Sequence, residues 1–351
     1  MKRTWTRSFR RSCALRGDFF CMPFGGNDDA YRGEQHPAHG ETANSPWRFK
    51  SRSRAGGASE LTLTMRTRVR PATVTKTLRL VDGHDAVYCR HVIAGASGSI
   101  NLGHHAMLRF PNGEKTGLVS TSSFAYGQVF PGQLERPDKG GYQSLQPGAT
   151  FDSLARVPLM NGQFADLSRY PARRGFEDLV SLVNEFDPNA PAPLAWNAVV
   201  FPDQGYAFVA LKDPRVLRQT IFWISNCGRH YAPWNGRHAD VMGIEDVTSY
   251  FHEGLASSAR PNAFSRAGWP TSLRLTVNRP TVVNYIMAVV RVPRSSERIT
   301  HIERDGSGAI VLRCDKNLIT RAALDVDFLY SVPVVSDDAG SSKPRRIRRS
   351  T

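Results

Sequence analysis

From residue 61 onward, apolar and polar side chains alternate along the chain. LTLTMRTRV has the period of two that puts successive side chains on opposite faces of a half-buried strand. TVTKTLRLV and AVYCRHVIA continue the pattern, set apart by Pro71 and by the turn Asp82-Gly83-His84. INLGHHAMLRF runs into the turn Pro111-Asn112-Gly113, and NAVVFP, GYAFVALK, TIFWIS, SLRLTVN, VVNYIMAVVRV, AIVLRC and ALDVDFLYSV follow as further strand-like runs. Gly, Pro, Asn and Asp punctuate them. One stretch, FEDLVSLVNEF over 176–186, has helical spacing instead. Phe176, Leu179, Val180, Leu182 and Val183 recur at that period, and Glu177 and Asp178 occupy what would be the first turn. A weaker helix is expected near 148–156. Many short strands and almost no helix predict an all-β fold of stacked antiparallel sheets. No repeat of roughly 20–50 residues is present, which argues against a propeller or solenoid.

Residues 1–60 show no sustained period and are rich in Gly, Ser, Arg and His. They are expected to be disordered or poorly ordered, as is the basic tail 336–351, leaving 61–335 as one β-sandwich domain. Charge supports the division. The net charge is +15, of which +8 falls in residues 1–72 and +5 in 340–351, so that 73–339 carries only +2. The sandwich itself is therefore expected not to bind nucleic acid specifically, and no basic stripe interleaved with aromatics is present in it.

The five cysteines (Cys13, Cys21, Cys89, Cys227 and Cys314) are odd in number and widely spaced, without a CxxC. They indicate neither a disulfide framework nor a zinc site and suit a reducing, cytoplasmic setting. The basic start lacks the apolar run of a secretory signal, and no stretch is long and apolar enough to suggest a membrane span.

Candidate chemistry gathers in two places. The first is the strand with His104 and His105, which point to opposite faces unless a bulge intervenes. The second is Ser225–His252, SNCGRHYAPWNGRHADVMGIEDVTSYFH, with His230, Trp234, Arg237, His238 and Glu245. Aromatic faces, amides, guanidinium and carboxylate groups suit a carbohydrate groove. Glu245 follows the apolar run VMGI, so partial burial would raise its pKa and make it a plausible general base. The plain alternative is a core histidine and a strand-end acid beside a long surface loop.

INLGHHAMLRF and GIEDVTSY, followed by ARPNAFSRAGWPTSLRL and VNYIMAVVRV, resemble the galactose mutarotase-like (aldose 1-epimerase) superfamily over about residues 60–293. The resemblance implies a large β-sandwich in which Glu245 takes the anomeric proton and His105 protonates the ring oxygen, with no cofactor and no metal. His104, His230, Trp234, Arg237 and His238 would contact a monosaccharide or a sugar end. Two departures stand out. Asp246-Val247-Thr248 follows the glutamate where the family has Thr-Gln, and the early strands that carry an anchoring Arg and another His would fall in the unpatterned 1–60. A sandwich short of its first strands would favour a carbohydrate-binding protein without turnover. The basic tails leave a nucleic-acid-associated protein as the further alternative.

Overall fold

The computed structural model describes residues 17–314 and 319–332. Two large antiparallel sheets stack face to face. The first has seven strands in the order Gly17–Cys21, Leu102–Arg109, Val241–Thr248, Gln219–Asn226, Phe176–Asn184, Phe124–Val129, Thr150–Phe151. The second has nine: Arg169–Tyr170, Gly117–Thr121, Ala195–Phe201, Tyr206–Lys212, Thr281–Arg291, Ala86–Ala94, Ala72–Val81, Ala58–Thr67, Arg48–Ala55. A three-stranded sheet, Ile299–Arg304, Ile310–Cys314 and Ile319–Ala322, covers the outer side of the nine-stranded one.

Apolar side chains fill three layers. Val180, Leu182, Phe222 and Ile244 of the first sheet meet Val119, Val199 and Phe201 of the second between the two. Trp196, Val209 and Ile286 pack on the other face of the second sheet against Ile302, Ile310 and Leu312. Leu179, Ile221, Trp223 and Val247 pack on the other face of the first sheet, beneath Phe24, Phe251 and Phe264. Central strands are thus buried on both faces and lose the alternation that marks a half-exposed strand.

That double burial explains the main misreading. FEDLVSLVNEF is the strand Phe176–Asn184, buried along nearly its whole length, not a helix. Its apolar residues serve two faces, which imitates helical spacing. Likewise 148–156 contains only the short strand Thr150–Phe151. ALDVDFLYSV holds a 3-10 turn at Val326–Tyr330 rather than a strand.

The expectation for 1–60 is also corrected from residue 17 onward. This segment supplies the edge strand of each large sheet, so neither lacks an early strand. Phe20, Met22 and Phe24 are buried, and the short helix Gly40–Asn44 sits against the first of these strands. Loops rich in Gly and Pro carried the segment's order without any period to betray it. Residues 1–16 and the tail 336–351 lie outside the described residues.

Between the sheets lies a fully buried ion pair, Lys212 with Asp246. Asp246 Oδ1 also accepts from Asn197 Nδ2 and Thr220 Oγ1, each at 2.8 Å, and its Oδ2 accepts from Tyr285 OH at 2.8 Å. Lys212 Nζ donates further to Gln219 O at 2.9 Å and Thr220 Oγ1 at 2.7 Å. With all three Lys212 donors and both Asp246 oxygens occupied, desolvation of the pair is offset. Removing one partner leaves a bare charge in the core. Lys212→Met is expected to cost about 3–5 kcal/mol in urea unfolding, and Lys212→Met with Asp246→Asn to cost less than the single change. An additive double variant would contradict the coupling.

Candidate active site

The strand Leu102–Arg109 pairs on one side with Val241–Thr248, in a register that sets Glu245 opposite His105 and Asp246 opposite His104. Directly opposed residues share a face and neighbours alternate. His105 and Glu245 therefore point to the outer face of the seven-stranded sheet, and His104 and Asp246 point between the sheets.

On the outer face, His105 Nε2 lies 3.2 Å from Glu245 Oε1, and each residue is 2% exposed. Gly243 makes room for the carboxyl group, since a Cβ there would stand 2.8 Å from Glu245 Oε1. Phe19, opposite His105 on the edge strand, stacks on the imidazole with centroids 4.5 Å apart. The rings of His39 and Trp223 meet His105 edge-on at 5.1 and 6.2 Å. His39 Nδ1 in turn lies 3.5 Å from Cys21 Sγ. A close backbone approach holds His39 in place. Met22 bridges to Gly40, where a Cβ would come within 2.0 Å of Met22 O, so only glycine fits beside the histidine.

Burial governs protonation here. It drives the Glu245 carboxyl well above the usual carboxylate range. It also drives His105 well below the usual imidazole value, with His39 adding to the effect, and takes His39 down to about 4. Burial thus favours the uncharged form of each group.

Trp223 joins this pair to a second polar group. Its Nε1 donates to Glu177 Oε2 at 3.1 Å. Ser225 Oγ and the Gly228 N–H donate to Glu177 Oε1 at 2.9 and 3.1 Å, and Ser225 Oγ lies 2.6 Å from His238 Nδ1. Arg229 Nε binds Glu135 Oε1 at 2.6 Å, and its guanidinium lies 5.2 Å from the ring centres of both Trp223 and Trp234. Burial raises Glu177 to about 7 against the lowering effect of Arg229.

Of the residues singled out from sequence, Glu245 and His105 meet directly, while Trp234 and His238 flank Trp223 at 6.0 and 5.5 Å. His104 is corrected: fully buried between the sheets, it binds Asp18 Oδ2 through Nδ1 at 2.8 Å and stacks on Tyr285 at 4.2 Å. Strand alternation forces this. His230 and Arg237 are exposed, and the His230 ring meets Tyr142 at 5.5 Å rather than the acid pair. Sequence reasoning missed His39, Trp223, Glu177 and Arg229. His39 stands in a run of Gly, Pro and His, PFGG to HPAHG, a loop composition that could have pointed to it. Among the described residues no group of three or more His, Cys, Asp or Glu is placed to hold a metal ion, and no helix is long and apolar enough to cross a membrane.

Solved structures share this architecture. A candidate aldose 1-epimerase from Escherichia coli K12 superposes with a TM-score of 0.51 at 14% identity, over 79% of this chain and 84% of that one. A galactose mutarotase-like protein from Clostridium acetobutylicum gives 0.50 at 12% identity, over 83% and 84%. The fold is thus the galactose mutarotase-like β-sandwich. No family model matches the sequence, and no curated protein matches it.

Two measurements check the electrostatics. At low pH, Glu245 is protonated folded and unfolded alike. Above its ordinary value of 4.5, only the folded state keeps the proton, so wild-type stability falls by up to about 1.4 kcal/mol per pH unit. Glu245→Gln removes that loss, and its stability relative to wild type is expected to rise steadily above pH 4.5 in urea titrations. For Glu177, tryptophan emission is expected to titrate with a midpoint near 7 as the carboxylate facing Trp223 ionises. The transition should vanish in Glu177→Gln.

Proposed function

We propose that the Glu245–His105 site takes the reducing end of an aldose and interconverts its anomers by general acid–base catalysis. The observation that carries the reading is the Glu245–His105 contact, a buried pair with His39 beside it and an aromatic wall of Phe19 and Trp223. Mutarotation needs one group to take the proton of the O1 hydroxyl while another protonates the ring oxygen. The C1–O5 bond breaks to an open-chain aldehyde. After rotation about C1–C2 the ring closes with the two roles exchanged, returning both protons. The cycle is therefore indifferent to which partner starts with the proton. The family pattern has Glu245 open as base and His105 as acid. Starting from the uncharged forms that burial favours, the first half-cycle would instead run from Glu245 to the ring oxygen, and from O1 to His105. The sugar would replace the direct contact between the two side chains. No cofactor is required by this chemistry. A reducing, cytoplasmic setting belongs to the same proposal.

One observation favours a second reading, a carbohydrate-binding protein without turnover. Glu245 and His105 are each only 2% exposed, whereas Trp234 is half-buried at the rim. Polarimetry of freshly dissolved α-glucose and α-galactose separates the two. Wild type should accelerate mutarotation, and Glu245→Gln and His105→Asn should each lower the rate about 100-fold or more. Sugar binding in calorimetry without acceleration would select the binding protein. Neither effect across a broad panel of aldoses would refute both.

A further inference from the structure

The strand Arg48–Ala55, RFKSRSRA, ends the nine-stranded sheet and is exposed at every residue. One of its backbone edges pairs with Ala58–Thr67, and the other has no strand partner among the described residues. Among the described residues no carboxylate pairs with Arg48, Lys50 or Arg52, and the one carboxylate paired with Arg54 is the exposed Asp82, at 2.9 Å. Residues 48–79 hold nine Lys/Arg against Glu60 alone. Part of the positive charge read as a tail is thus displayed on an ordered sheet edge.

Charge alone would serve to keep such an edge from pairing with copies of itself. The apolar residues beside it have no such use. The register pairs Phe49 with Leu63, Arg52 with Leu61, and Leu61 with Leu78, so these share one face with Leu80, two residues further on. That face continues the inner side of the sheet beyond the cover of its partner sheet. Phe49 stays 64% exposed, Leu80 54% and Leu61 37%.

We propose that this edge receives an extended acidic segment of a partner protein, added as a further strand. Main-chain hydrogen bonds along the open edge would give the affinity. Asp or Glu at alternate positions would face Arg52 and Arg54, beside the apolar ledge of Phe49. A second copy of this chain fits poorly, because antiparallel self-pairing sets Arg and Lys against Arg and Lys. A membrane or a nucleic acid would use the charge and leave the strand's backbone groups unpaired.

The test uses the full chain and a labelled, end-capped peptide of four Thr-Glu repeats. Its Thr-Lys counterpart, a single-stranded oligothymidine and phosphatidylserine vesicles serve as rivals. Fluorescence anisotropy should show saturable binding of the acidic peptide alone. Binding should weaken at least about tenfold in the triple variant Arg48→Glu, Arg52→Glu, Arg54→Glu, and measurably in Phe49→Ser. Unchanged thermal unfolding would show that both variants fold. Amide exchange should slow at every second residue of 48–55 when the peptide binds, a pattern that adsorbed polyanions do not produce. Absence of saturable binding, binding without alternating protection, or preference for the oligonucleotide or vesicles would each overturn the proposal.

Discussion

The pairing register between Leu102–Arg109 and Val241–Thr248 is the constraint on which the rest hangs. Each strand contributes two consecutive polar residues, His104-His105 and Glu245-Asp246. The register delivers one residue of each pair to each face. Outside, it sets Glu245 against His105. Inside, it places Asp246 on Lys212, Asn197, Thr220 and Tyr285, and stacks His104 on Tyr285. A slip of one residue would exchange the faces and bury an unmatched glutamate among groups arranged for Asp246.

The inner network and the outer pair therefore support each other. Asp18 ties them physically, accepting from the His105 backbone N–H at 3.2 Å while binding His104 Nδ1 on the opposite face. The desolvation that such a network must overcome is the same effect that lifts Glu245 and depresses His105 and His39. Dry surroundings make ionic forms costly, so burial favours the uncharged form of each of these groups.

The segment 17–47 shows how order arises without periodicity. It has no repeating pattern of its own because it lies across the end of a sheet and over a face, each residue answering a different neighbour. Phe20 packs on His91, Phe19 on His105 and Gly40 on Met22. What it adds to the site, His39, is held by contacts far apart in sequence.

Alternation over 61–94 sufficed to define the outlying strands, because they are half-exposed and their side chains report two environments in turn. The turns at Asp82-Gly83-His84 and Pro111-Asn112-Gly113 and the burial of Glu245 behind an apolar run were likewise legible, since each depends on residues within a few positions. The strand Phe176–Asn184 was not, because cover on both faces erases the contrast that periodicity measures. Nor could parity alone choose between His104 and His105. That choice is made by which strand lies alongside, and in what register. The meeting of His39, His105, Glu245 and Trp223 likewise joins residues up to 206 positions apart. Local sequence sets the preferences of each strand, whereas the sheet order, and with it the chemistry of the site, is decided by long-range pairing and the desolvation it imposes.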